Sequence, residues 1–249
     1  MRSAQPPADT GRPRDDANWA RPVERLSADR VHPGASHDGV TGRRTAGPLQ
    51  GFGQMWQKIL EVPLAGCPAT PPEVIRAWKA SFTSFWPENA TFYAPLAGIQ
   101  PGEVGLLELQ AAPGRVRMST GVVCIYADDE SFAFMTPEGH VLAAWITFSA
   151  LVRDGVTYAR IEALERPADP LIEVAYHLGA NRVNDRFWEQ TLRNLAIHLG
   201  VVDPAVSRRV ICVDRRRQWR YAGNLRRSPI LGGVARLVTR PFSRLRTRP

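Results

Sequence analysis

From Gly102 to about residue 167, apolar and polar positions alternate, and turn residues cut the alternation at regular intervals. The segments VGLLELQ, VRMSTGVVCIYA, SFAFMT, VLAAWITFSALV and VTYARIEAL are punctuated by Pro113-Gly114, Asp128-Asp129, Pro137-Glu138-Gly139 and Asp154-Gly155. This pattern predicts an antiparallel meander of about five strands. A two-residue loop at Asp154-Gly155 sets Ala150 opposite Ala159, Phe148 opposite Ile161 and Ile146 opposite Ala163, with Ser149–Arg160 and Thr147–Glu162 on the wet face. Carried back through the preceding turns, the same register puts Phe134, Phe132, Ile125 and Val123 on the apolar face.

Helical spacing flanks the meander on both sides. Upstream, MWQKILEVPL suits a first strand through Trp56, Ile59 and Val62. Thr70, Pro71, Pro72 and Glu73 then form a capping box before Val74, Ala77, Trp78, Phe82 and Phe85, and this helix should stop by Trp86, before Pro87. Downstream, Asp169 caps a short helix, Gly179 interrupts it, and Asn184 or Asp185 starts a longer one. Its Trp188, Leu192, Leu195 and Leu199 make one apolar stripe, ended by Gly200. An apolar sheet face must be covered, and this helix is the expected cover. The fold class is therefore α+β, an antiparallel meander curled around a long C-terminal helix.

Composition sets the limits of that body. Residues 1–50 are rich in Pro, Gly, Asp and Arg without any apolar period, and are expected to be a disordered arm. The folded domain is expected over 53–200. The chain carries a formal charge of +8, but thirteen of its 32 basic residues and only one of its 24 acidic ones lie from Pro204 onward. Residues 201–249 thus read as a basic, partly amphipathic tail on a mildly acidic body. Cys67, Cys124 and Cys212 form no CxxC pair and are expected to be reduced and structural. No apolar run is long enough to span a membrane and no signal peptide is visible, so the expected compartment is cytoplasmic.

The order strand, helix, connection, meander, long helix resembles the START-like or SRPBCC superfamily, in an uncharacterised branch. The segments FWPENATFYAPLAGIQPGEVGLLEL, YADDESFAFMTPEGHVLAAWITF and DRFWEQTLRNLAIHLG carry the likeness over about residues 53 to 200. The resemblance implies a helix-grip fold with a ligand cavity between sheet and last helix. Its members include lipid carriers, hormone receptors, polyketide aromatase/cyclases and oxygenase substrate domains, so it does not choose an activity. The Rieske-type iron ligands of the oxygenases are absent from the sequence.

No catalytic motif, metal-ligand spacing or cofactor signature stands out. His32, His37, His140, His177 and His198 form no metal motif. His177, beside Tyr176 and near Glu173, is the best single acid/base candidate, although an exposed or structural histidine is the commoner case. Asp128, Asp129 and Glu130 are better read as turn formers than as paired carboxylates. The cavity-lining candidates are Val123, Ile125, Phe132, Phe134, Ala144, Ile146, Phe148, Ile161, His177, Trp188 and Leu192, where plain core packing is the competing account. The small residues Ala144, Ala150, Ala159 and Ala163 would leave room on the same face.

The expected function is non-catalytic binding of a hydrophobic or aromatic small molecule. An aromatase/cyclase-like enzyme and an interaction module without a cavity are the alternatives. The tail reads three ways. Ile230, Leu231, Val234 and Leu237 with Arg236 and Arg240 could meet an anionic membrane surface peripherally. Nucleic acid, the least favoured partner, would use Arg215, Arg216, Arg217 and Arg220 with Trp219 or Tyr221 stacking. The segment could also pack on the protein's own body. Nothing in the pattern bears on oligomeric state.

Overall fold

A computed structural model describes residues 16–28, 37, 39–88, 90–111 and 116–231. The alternating segments form one antiparallel sheet of eight strands in the order β2-β3-β4-β5-β6-β7-β1-β8. These are β1 (Met55–Pro63), β2 (Ala90–Tyr93), β3 (Val104–Ala111), β4 (Val116–Ala127), β5 (Ser131–Met135), β6 (Leu142–Arg153), β7 (Val156–Pro167) and β8 (Ser207–Asp214). Helix α1 (Pro71–Ala80) continues into a 3-10 turn at Phe82–Phe85, and α2 (Pro170–Ala175) leads through a turn at Tyr176–Ala180 into α3 (Asn181–His198). The sheet curls around α3, giving the helix-grip form of an α+β fold.

Local signals explain the element ends. At α1 the Thr70 N–H and hydroxyl both donate to Glu73, at 2.8 and 2.7 Å, holding that carboxyl below its usual range. Asp169 Oδ1 caps α2 by accepting from Leu171 and Ile172 at 2.8 and 3.0 Å. Asp154 and Gly155 adopt φ of 51° and 75°, the left-handed pair that a two-residue hairpin needs. The β6–β7 register follows that turn: Phe148 faces Ile161, Ile146 faces Ala163 and Ala150 faces Ala159.

Within the meander β3 to β7 the register slips at one place. Ala127 pairs with Phe132, but Cys124 pairs with Phe134, so a β-bulge at Ile125 inserts one extra residue into β4. Val122 and Cys124 therefore face the concave side, while Val123 and Ile125 face the convex side, contrary to the expectation from alternation. The Asp128 loop fixes this geometry. Its carboxylate accepts from the Tyr126 hydroxyl and from the backbone of Glu130 and Ser131 at 2.8 and 2.7 Å.

A convex face bearing Val104, Leu106 and Val123 needs its own cover, and the N-terminal segment supplies it. Leu26, Ala28 and Val40 are buried against those strands. Val40 lies over Gly121, where a Cβ would stand 2.7 Å from its methyl. The Ala20 N–H takes the bulged Ile125 carbonyl at 2.9 Å, and Trp19 packs on Tyr126 with ring centroids 4.7 Å apart. The expected disordered arm is thus ordered over 16–28 and 39–50, because a few isolated apolar residues suffice once a preformed apolar face receives them.

The C-terminal extension is also part of the body up to Arg227. β8 pairs with β1, and the 3-10 turn Trp219–Arg227 returns to Phe52, whose ring lies 5.2 Å from that of Trp219. Buried Arg166 ties the two ends together. It donates to the carbonyls of Gly53 and Arg216 at 2.6 and 3.0 Å and to Asp214 at 2.7 Å, which lowers the Asp214 pKa.

Two outcomes test this architecture. Leu26→Ala should cost about 2–5 kcal/mol in urea denaturation, as for a core leucine, whereas an unattached arm would give no change. His140, buried with its Nδ1 2.9 Å from the Leu142 carbonyl oxygen and 3.0 Å from the Leu142 nitrogen, has its pKa pushed down to about 4 by burial. Burial lowers the folded value below the unfolded one, so protons favour the unfolded chain. Its contribution is complete above the ordinary histidine pKa of about 6.5 and is lost as pH falls toward 4, totalling about 3 kcal/mol. The loss should be absent in His140→Gln, and an NMR titration placing the ring near 6.5 would refute it.

Candidate functional site

The concave interior is built from aromatic side chains of α1, the 3-10 turn that follows it, β2, β5 and β6. Phe132 and Phe148 stack at 4.8 Å across β5 and β6, and Trp78 of α1 meets Phe148 and Phe132 edge-on at 5.2 and 6.0 Å. Phe82, from the following 3-10 turn, lies 5.0–5.6 Å from Phe92, Phe132 and Phe148. Edge-to-face pairs of this kind add about 0.5–1.5 kcal/mol each beyond area burial. Of the expected lining residues, Phe132, Phe134, Ile146, Phe148, Ile161 and Leu192 meet here, and Trp188 borders the group with its ring 5.6 Å from Phe148. Ala144 lies on the same face in a side cluster with Leu142 and Tyr176. Val123 and Ile125 lie on the other face, for the reason given by the bulge.

Three indole N–H groups in and beside this interior are buried without an acceptor: Trp56, Trp78 and Trp86. An unmade hydrogen bond of this kind costs about 1–3 kcal/mol. Trp78 is fully buried, while Trp86, Phe187 and Trp188 are half-buried and form an aromatic edge where α3 meets the end of the 3-10 turn Phe82–Phe85. The Trp86 ring lies 4.9 Å from Phe187, 6.0 Å from Trp188 and 5.2 Å from Phe92.

The interior also holds charges. Lys58 shares the inward parity of Trp56, Leu60 and Val62 on β1, and Glu165 continues the inward run Ala159, Ile161, Ala163 on β7. Lys58 is 1% exposed. Its Nζ lies 2.8 Å from Glu165 Oε1 and 2.6 Å from Asp185 Oδ1 of α3. The Tyr176 hydroxyl donates to Glu165 at 2.8 Å, and Asn184 donates to both oxygens of that carboxylate at 3.1 and 3.2 Å. Burial, then the Glu165 carboxylate, pushes the Tyr176 phenol far above its usual range. Arg208 of β8 approaches Asp185 at 3.4 Å and Glu189 at 2.7 Å. Chemically this is a buried hydrogen-bonded network in which one ammonium faces two carboxylates.

None of these polar residues was among the expected site residues, although strand parity places both Lys58 and Glu165 on the apolar side. His177 is elsewhere. Its side chain is exposed and its Nε2 lies 3.2 Å from Glu173 Oε1, which also accepts from Arg217 at 3.0 Å. Cys124 is buried, which pushes its thiol up to about 12, so it is no nucleophile. Among the described residues no group of His, Cys, Asp and Glu is arranged to hold a metal ion, and no helix is long and apolar enough to cross a membrane.

Of the tail candidates, Ile230 is half-buried and Leu231 is 46% exposed. Val234, Arg236, Leu237 and Arg240 lie outside the described residues. Trp219 and Arg217, candidates for nucleic-acid contact, are engaged with Phe52 and Glu173.

No protein-family model and no curated protein matches the chain. Several solved structures align with part of it. Protein Ms6760 from Mycobacterium smegmatis is 15% identical over 58% of this chain and 90% of its own, with a TM-score of 0.41. TTHA0849 from Thermus thermophilus is 14% identical over 57% and 96%, with a TM-score of 0.44. Norcoclaurine synthase from Thalictrum flavum is 11% identical over 66% and 97%, with a TM-score of 0.38.

The charge network has a measurable consequence. Lys58→Met leaves two buried carboxylates facing each other and should destabilise by about 3–5 kcal/mol in chemical denaturation. Lys58→Met combined with Glu165→Leu and Asp185→Leu should recover most of that loss. A near-neutral single variant would show that water reaches the network.

Proposed function

We propose that this protein binds a small apolar or aromatic molecule bearing a hydrogen-bond acceptor, held between the sheet and α3, as expected of an uncharacterised branch of the START-like superfamily. The observation that carries the reading is the pair of buried indole N–H groups of Trp78 and Trp86, which have no acceptor among the described residues. An aromatic ligand can exchange ring contacts with Trp86, Phe187 and Trp188 at little cost, because one edge-to-face contact replaces another. The acceptor then makes the difference between the filled and unfilled interior.

A second reading, acid–base chemistry on the bound molecule, is favoured by Lys58, Glu165, Asp185 and Tyr176 on the same concave face. In this reading Lys58 or Tyr176 would supply the proton, and Glu165 would hold the charge left behind.

Native mass spectrometry of freshly purified protein should reveal a co-purified molecule. Trp78→Phe keeps the ring and removes the N–H. It should weaken binding of that molecule three- to tenfold, about one hydrogen bond. If no mass is recovered and indole fluorescence ignores a panel of aromatic probes, the binding reading fails. If the recovered molecule changes mass on incubation with the wild type but not with Lys58→Met, the enzymatic reading replaces it.

A further inference from the structure

Strand β8 ends the sheet, and its outer edge is bare. In the sheet order it has β1 on one side and no strand on the other. Residues 207–211 and Val213 are exposed, and Cys212 and Asp214 are half-buried. The direction of the backbone groups follows from β1. The Leu64 N–H donates to the Thr157 carbonyl at 2.8 Å, so the even positions of β1 exchange hydrogen bonds with β7 and the odd ones with β8. Gln57, Ile59 and Glu61 therefore hold Ile211, Arg209 and Ser207. The N–H and C=O groups of Arg208, Val210 and Cys212 point away from the sheet, with no backbone partner among the described residues. After the irregularity between Met55 and Trp56, Asp214 is again turned toward β1.

Such an edge is a template for another strand. A second copy supplies one already ordered by its own β1, whereas a flexible segment would lose conformational freedom on pairing. In an antiparallel pair related by a two-fold axis, outward-pointing residues meet each other only when the axis falls on a residue. An axis at Arg209 sets that side chain against itself. One at Val210 leaves the two Arg209 side chains two residues apart along the strands, roughly 7 Å, and one at Cys212 keeps a single outward-pointing pair. An axis at Ile211 avoids all of these. It opposes Val210 to Cys212 twice, which gives about four backbone hydrogen bonds, and sets Ile211 against itself. The charges fit the same register. Arg208 is committed within its own chain, to Asp185 at 3.4 Å and Glu189 at 2.7 Å. Arg209 comes opposite Val213 and beside Asp214 of the second copy, a carboxylate already bonded to its own Arg166 at 2.7 Å. Arg215, next in the chain, is exposed and can turn to water. The two Arg209 side chains stand roughly 13 Å apart, beyond the Debye length of about 8 Å.

We infer that this protein forms a two-fold dimer by pairing β8 with β8 of a second copy, antiparallel about Ile211, so that the two sheets become continuous. Val210, Ile211 and Val213, which are 40%, 41% and 46% exposed in the single chain, are covered by the pairing. A contact one strand wide buries less than the roughly 800 Å² per partner of a standard interface, so the dimer is reversible and dissociates on the order of 10–100 μM. The pairing uses none of the residues of the proposed ligand site and does not depend on a ligand there.

Sedimentation velocity of the full-length protein over about 5–500 μM should show the average mass rising from one copy toward two. About 0.3 M salt screens the formal charge of +8 on each chain. Ile211→Lys, at an exposed position, puts two cations on the axis and should weaken association at least tenfold. Val210→Pro removes an outward N–H and no bond to β1, and should do the same. If Val210→Pro fails to fold by circular dichroism, Ile211→Lys alone decides. In a Cys212→Ser background, Ile211→Cys should give a covalent dimer under mild oxidation. Residues facing each other in a non-hydrogen-bonded pair have Cα atoms about 4.5 Å apart, within disulfide reach. Arg209→Cys in the same background should not cross-link. A mass that stays at one copy throughout overturns the inference. A dimer left intact by Ile211→Lys is formed by another surface and overturns it too, as does cross-linking of Arg209→Cys in preference to Ile211→Cys.

Discussion

The sheet carries apolar side chains on both faces, and neither face can be left to water. That constraint organises everything else in the molecule. On the concave side, Trp78 and Phe82 from the α1 region and Leu192 and Leu195 from α3 close over Phe132, Phe134 and Phe148. On the convex side the bulge at Ile125 is decisive, because it turns Val123 and Ile125 outward beside Val104 and Leu106. It also frees the Ile125 carbonyl, which Ala20 then takes. One inserted residue thus both creates an apolar surface and provides a backbone acceptor for the segment that covers it.

Two buried cations hold the covering elements in register. Lys58 joins β1 to β7 and to the first turns of α3 through Glu165 and Asp185, and Arg166 joins the start of β1 to the end of β8. Ion pairs of this kind add little net stability against an apolar replacement, since desolvation offsets most of the attraction. Their effect is on specificity. Strand side chains alternate, so a one-residue slip of β1 would turn Lys58 to solvent and leave the buried Glu165 carboxylate without its cation. The competing register is penalised more than the native one is rewarded.

Much of the concave half is legible in the sequence because its signals are local. Asp154-Gly155 states its own turn, Thr70 to Glu73 its own cap, and the β6–β7 register follows from them. The bulge is not legible, since nothing in VVCIYA distinguishes an extra residue from continued alternation. Nor is the N-terminal cover, because Leu26, Ala28 and Val40 have no period of their own and gain a place only from the surface they meet. β8 is hidden for a different reason: in SRRVICVD the arginines draw the eye to charge, while the strand that bears them is ordinary. Of the site, the aromatic lining is visible from parity. The buried charges are equally visible by the same rule, since Lys58 alternates with Trp56, Leu60 and Val62, but a lysine there is easily read as an exposed exception.

The orphan indoles then become the most informative part of the interior. In a core made of leucine and phenylalanine, filling the space with rings would be sufficient, and phenylalanine at residue 78 would carry no unpaired donor, although as a smaller ring it would leave a void. Tryptophan adds a penalty of about 1–3 kcal/mol when its N–H has no acceptor. The nearby polar network does not relieve it, because Glu165 and Asp185 are taken up by Lys58, Tyr176 and Asn184. A molecule that brings its own acceptor into this interior recovers that penalty at Trp78, at Trp86, or at both. On the proposed reading ring contacts are exchanged nearly evenly, so selectivity among aromatic ligands would follow the position of the acceptor and depend less on the size of the ring system.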